Sequence, residues 1–170
     1  MFDAPLDAAQ IKRYLTELAD TLHDDQQRTV IIVGGALLAW HGLRESTHDV
    51  DSVKRLDTVL KNAVMRVAQR YDLAPKWLND SAAAFIPATF KQDECEILLE
   101  HPRLLVLGMP WNQLFLMKLF ASRATDTEDI EAIWPRCSFG TVDDAVLAFY
   151  EAYPHTPHDE YLADHITRII

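Results

Sequence analysis

Two short runs in this 170-residue chain carry residue types that do chemistry in pairs. Gly34-Gly35 directly follows the apolar run Val30-Ile31-Ile32-Val33, and Asp49-Val50-Asp51 comes after residues 36 to 48. Two residues without Cβ let backbone N–H groups approach a ligand closely. Where such a turn opens a helix, the dipole favours negative charge, so phosphate is the natural occupant. Side chains two apart on a strand point to one face, which brings the carboxylates of Asp49 and Asp51 within reach of one cation. Neighbouring carboxylates repel unless a counter-charge intervenes, and a hard divalent ion such as magnesium suits them. The plainer alternatives are a tight turn without a ligand for the glycines, and solvent exposure or pairing with Arg44 or Lys54 for the aspartates.

Positioning these residues takes a strand, a turn, a helix and a second strand, and the apolar periodicity supplies them. Val30 to Val33 is an unbroken β-branched run of the kind that forms a buried strand, residues 36 to 40 read as a short helix stopped near Gly42, and residues 50 to 53 alternate as a strand does. Before this unit, Ile11, Leu15, Leu18 and Leu22 recur at helical spacing, with Asp7 placed as a cap. After it, residues 56 to 71 put Leu56, Val59, Leu60, Ala63, Val64, Val67 and Tyr71 on one helical face. The stretch around Lys76-Trp77-Leu78-Asn79-Asp80, interrupted by Pro75 and Pro87, fits no regular element.

Residues 94 to 99 and 104 to 107 read as further strands. Pro110 opens a helix over residues 111 to 124, and three more helices follow: one to Trp134 capped by Asp126 or Thr127, one from Thr141 to Tyr153, and one from His158 onward. With strands concentrated before residue 108 and helices after it, the expectation is an α+β fold, a mixed sheet flanked by helices with a C-terminal helical part. The expected division is a core over residues 1–108 and a helical part over 109–170 packed on it as one compact unit.

The apolar strand, Gly-Gly turn, helix and D-h-D run together resemble the nucleotidyltransferase superfamily. Val33-Gly34-Gly35, Arg44-Glu45-Ser46-Thr47 and Asp49-Val50-Asp51 are most similar to short bacterial members related to abortive-infection and toxin-antitoxin nucleotidyltransferases. Downstream, Leu114 to Leu119, Arg123, Asp126, Asp129 and Ile130 resemble the helix and acidic motif of those proteins. The resemblance implies a nucleoside triphosphate substrate contacted by Gly34, Gly35, Arg44 and Thr47, with Mg2+ or Mn2+ held by Asp49 and Asp51. It also implies that Lys118 meets the triphosphate; a surface lysine snorkelling from an apolar helix is the alternative. Arg44 has an ion pair with Asp49 as its own alternative. A third acid is expected on a later strand, with Glu96 preferred to Glu94 because Cys95, Ile97 and Leu99 would then form that strand's buried face. Two departures stand out: Ser52 follows the D-h-D where an apolar residue is usual, and Gly35 stands where many relatives use serine.

The function implied is metal-dependent transfer of a nucleoside monophosphate to an acceptor hydroxyl, on an RNA end or a protein, in a toxin-antitoxin type of system. The alternative is a catalytically degenerate nucleotide-binding or protein-interaction module. A net charge of -10 disfavours extended nucleic-acid binding, and Lys54, Arg55, Lys61, Arg66 and Arg70 read as a solvated helix surface. A protein partner fits the acidic surface. No long apolar run suggests a membrane helix and no leader is evident, so a cytoplasmic location is expected. Cys95 and Cys137 read as small packed residues; His155, His158 and His165 read as surface histidines, a metal site being the alternative although their spacing matches no standard zinc pattern; and His48 reads as pointing away from both aspartates, with a ligand role as its alternative.

Overall fold

Asp7 opens the first helix of the computed structural model, which describes residues 4–121 and 126–170. Its carboxylate accepts from the Gln10 N–H at 2.8 Å while Gln10 Oε1 accepts from the Asp7 N–H at 3.0 Å, a reciprocal cap. The helix, α1 (Ala8–Thr21), buries Ile11, Tyr14, Leu15, Leu18 and Ala19. Next comes β1 (Arg28–Val33), in which Val30, Ile31, Ile32 and Val33 are all buried, as in a strand covered on both faces. The chain continues through α2 (Gly34–Trp40), β2 (Val50–Ser52), α3 (Thr58–Tyr71), β3 (Leu78–Asn79), β4 (Glu96–His101) and β5 (Leu104–Gly108).

The five strands form one mixed sheet in the order β3-β2-β1-β5-β4. β1 lies antiparallel to β2 and parallel to β5, β3 runs parallel to β2, and β4 is antiparallel to β5. Helices flank this sheet and more follow it, so the α+β expectation holds. Packing divides the chain into two compact units. One holds the described residues up to Ala84 together with Cys95–Met109, and with them the whole sheet. The other joins Phe85–Glu94 to the described residues of Pro110–Ile170.

In the sheet-bearing unit α1 packs on α2 and α3, and the buried Trp77 ties the chain after α3 back to it by donating to the Val64 carbonyl at 3.1 Å. Arg28, at the start of β1, is buried between two acids. It donates to both Asp24 oxygens at 2.7 and 2.8 Å and to Asp57 at 2.7 Å, while Asp57 also caps α3 by accepting from the Leu60 N–H at 2.8 Å. The Arg28 hydrogen bond holds the Asp24 carboxyl below its ordinary value. Burial pushes Asp57 upward, but the Leu60 N–H and the guanidinium outweigh it and leave that carboxyl lowered too.

The second unit contains α4 (Trp111–Ala121), α5 (Asp126–Ile133), α6 (Val142–Ala152) and α7 (Leu162–Ile169). Aromatic contacts fill it: Phe120 stacks on Tyr153 with centroids 4.1 Å apart, and Phe115 meets Trp134 and Phe139. Phe85–Glu94 joins this unit through hydrogen bonds, the Tyr153 hydroxyl donating to the Phe85 carbonyl at 2.8 Å and the Ala88 N–H to the Ala152 carbonyl at 2.8 Å. Thr141 caps α6. The last helix begins at Leu162 rather than His158: residues 157 to 159 form no regular element and Glu160 and Tyr161 form a turn. Residues 122 to 124 of the expected helix, and Arg123 with them, lie outside the described residues.

β4 departs from the expected pattern. Ile97 was to lie on a buried face with Cys95 and Leu99, yet it is 59% exposed and the other two are only half-buried. The register shifts between Ile97 and Leu99, and Leu98 is the side chain that closes over Gly108. A Cβ on Gly108 would stand 2.9 Å from Leu37 and 3.3 Å from Leu98, so the glycine makes room for both leucines and the bulge turns Ile97 outward.

Candidate functional site

The β1–β2 register sets the candidate site. Ile32 pairs with Ser52 and Val33 with Asp51, so the chain leaves β1 into the glycine turn directly beside the Asp51 carboxylate. Gly34 has a φ of +64°, a left-handed conformation that glycine adopts without strain. A Cβ there would lie 3.8 Å from Asp51 Oδ2. Gly35 is constrained by space. Its Cβ would lie 2.8 Å from Thr47 Oγ1 and 2.9 Å from Arg44 Nη1. α2 has seven residues, so the turn offers room beside its backbone more than a long-helix dipole.

The segment carrying Arg44, Thr47 and Asp49 is pinned onto this turn. Thr47 is buried, exchanges backbone hydrogen bonds with Leu6 at 2.6 and 2.9 Å, and donates its hydroxyl to the Asp49 carbonyl at 3.2 Å. Arg44 is exposed, with Nη1 beside Gly35. Asp49 and Asp51 are both half-buried. The structure thus gathers Gly34, Gly35, Arg44, Thr47, Asp49 and Asp51 at one end of β1.

Ser52 is fully buried and spends its hydroxyl on the backbone, donating to the Lys54 carbonyl at 2.9 Å and accepting from the N–H groups of Ile31 and Lys54 at 3.2 Å each. A serine where an apolar residue is usual therefore finishes the strand edge. His48 precedes β2 in a bend and lines a cavity of about 170 Å³ with Tyr14, Tyr71 and Trp77.

Glu96 is placed elsewhere. Across the sheet it pairs with Gly108, which pairs with Ile32, which pairs with Ser52. At about 4.8 Å per strand its Cα is some 14 Å from the Asp51 end of β2, too far for carboxylates to share one ion. Its Oε2 instead lies 2.9 Å from His41 Nε2. Glu94 belongs to the other unit. Among the described residues no group of three or more His, Cys, Asp or Glu side chains is placed to hold a metal. The position opposite Asp51 on β3 is taken by Asn79, whose Nδ2 donates to Asp49 Oδ2 at 3.3 Å. Sequence reading passed over Asn79 because a two-residue strand leaves no periodicity to detect.

Lys118, in the helical unit, is not a snorkelling surface residue. Its side chain is 14% exposed and its ammonium lies 2.9 Å from Asp126 Oδ1 and 2.8 Å from Asp129 Oδ2, both carboxylates themselves buried. Cys137 is half-buried, and that burial pushes its thiol up to about 12, so it is a poor nucleophile.

Asp49 and Asp51 supply hard oxygen donors beside a turn with no side chains of its own. Magnesium characteristically takes one or two carboxylates and completes its shell with water and substrate phosphate, so this donor set fits such an ion. Comparison with known proteins bears on the same region: a family model described as a nucleotidyltransferase of unknown function (DUF6036) matches residues 9–162. No curated protein and no solved structure matches the chain.

Proposed function

We propose, for a chain that belongs to this family of nucleotidyltransferases of unknown function, that the cluster around Asp49 and Asp51 is its nucleotidyl-transfer site. The observation that carries the reading is the Val33–Asp51 register, which sets a carboxylate pair against a glycine turn where a triphosphate can approach backbone N–H groups. Asp49 and Asp51 hold Mg2+ or Mn2+. Such an ion supplies charge neutralisation for the triphosphate oxygens. Gly34 and Gly35 leave space for the phosphates, Arg44 offers a guanidinium to them, and Thr47 fixes the loop that carries Asp49. In the reaction an acceptor oxygen bonds to the α-phosphorus, the bond to the β-bridging oxygen breaks, pyrophosphate departs, and the acceptor proton passes to solvent. The acceptor is a hydroxyl on an RNA end or a protein, and the setting is a two-gene growth-control system.

A second reading is favoured by the absence of a third carboxylate at the pair among the described residues: nucleotide binding without turnover. Lys118 also carries two readings. The resemblance gives it to the triphosphate, whereas its contacts make it the counter-ion of Asp126 and Asp129 within the helical unit.

Calorimetric titration of the four nucleoside triphosphates, with Mg2+ and with chelator, tests the site. Mg2+-dependent binding that is lost in Asp49→Ala/Asp51→Ala supports it. Folded protein that binds none of them refutes both readings. Transfer of labelled nucleotide onto RNA or protein from a lysate separates turnover from binding alone.

A further inference from the structure

Asn79 is held in one orientation. Its Oδ1 accepts from the Ser81 N–H at 3.1 Å, which fixes which end of the amide is oxygen and turns Nδ2 toward Asp49 Oδ2 at 3.3 Å and the Lys76 carbonyl at 3.4 Å. The acid next to it does not compete for the site. Asp80 Oδ2 accepts from the Leu56 N–H at 2.9 Å, with Arg55 and Lys61 each 3.9 Å from that carboxylate. β3 thus presents an amide, and not a carboxylate, opposite Asp51 of β2 and within reach of Asp49, which precedes that strand.

We infer that Asn79 is a positioning residue for Asp49: it donates to one carboxylate oxygen, leaves the other to a divalent cation, and adds no charge of its own. This rests on the metal-binding reading of Asp49 and Asp51. Two carboxylates balance one divalent ion, and a neutral donor steadies the first of them without the repulsion that a third acid would bring.

The test is Mn2+ titration of the full chain, read by electron paramagnetic resonance, for wild type, Asn79→Ala, Asn79→Asp and Asp49→Ala, with thermal unfolding of each in the absence of metal. Asn79→Ala is expected to weaken Mn2+ binding by about tenfold, the usual scale for losing a group that orients a metal ligand. Asn79→Asp keeps the shape and still accepts from Ser81, but exchanges the donor for a carboxylate; it is expected to bind Mn2+ more tightly while unfolding at a lower Tm without metal. Affinities that move in opposite directions are not what a purely structural strand contact produces. If both variants bind Mn2+ as the wild type does while Asp49→Ala does not, the role of Asn79 is overturned and the site stands. A wild type that binds no better than Asp49→Ala overturns the site and this inference with it. Should Asn79→Ala fail to fold, Asn79→Leu, close in size and without the donor, takes its place: about tenfold weaker Mn2+ binding supports the role and unchanged binding overturns it.

Discussion

At Gly35 the space that a serine would need is already taken by Thr47 and Arg44, so the departure from the serine of many relatives has a local cause. Thr47 cannot simply swing aside, because its hydroxyl is hydrogen-bonded to the Asp49 carbonyl and its backbone is bridged to Leu6. Gly35→Ser is therefore expected to destabilise the protein by about 1–2 kcal/mol, the scale of overpacking, with much of this recovered in Gly35→Ser/Thr47→Ala. Urea unfolding of the two single variants and the double variant measures the coupling. Lys118 offers a second residue-scale expectation. Lys118→Met leaves Asp126 and Asp129 buried without that cation, and a loss of about 3 kcal/mol is expected in the same assay. A loss of nucleotide affinity with stability unchanged would favour the triphosphate role instead.

Arg28 joins two elements, and its contribution depends on pH in a definite sense. Both Asp24 and Asp57 have folded-state values lowered from 3.8, so the stability they contribute is fully present above that value and is lost as pH falls through the lowered folded values. Arg28→Met removes the main partner of Asp24 and one of the two groups that lower Asp57, the Leu60 N–H remaining. The stability gap between wild type and variant, measured by denaturant titration, should be widest near neutral pH and close progressively below about 4. A gap that is constant across the acid range would mean that Arg28 acts through packing alone. The same elements show what could be read in advance. β1 was legible to the residue because four consecutive β-branched residues end at a glycine pair, and the start and buried face of α1 were legible because Asp7 and the spacing of Ile11, Leu15 and Leu18 agree. β3 was not, since its Asn79 owes its place to pairing with a strand distant in sequence. The third acid was misplaced for a related reason: Glu96 follows from alternation along β4, and a bulge together with the strand order decides where that alternation leads. Lys118 was noticed, but its two buried partners depend on how α5 returns to α4, which spacing along one helix does not reveal.

For the molecule as a whole, a net charge of -10 opposes a polyanionic ligand at every distance where the field is unscreened. Nucleotide binding should accordingly depend on the divalent ion more steeply than two carboxylates alone would require. Removing Mg2+ with chelator is expected to weaken triphosphate binding by at least about tenfold, or ~1.4 kcal/mol, with the loss reduced at high salt. Calorimetry at two ionic strengths checks this, and equal losses at both would assign the effect to coordination alone. No helix among the described residues is long and apolar enough to cross a membrane. The chain also runs out of its sheet-bearing unit at Phe85, returns at Cys95 and leaves again at Pro110. No single break in the gene yields either unit whole: a fragment ending at Met109 would carry Phe85–Glu94 without the Ala152 and Tyr153 groups that bond it. Recombination that exchanges one contiguous segment therefore cannot move this sheet without carrying Phe85–Glu94 along or cutting the sheet itself.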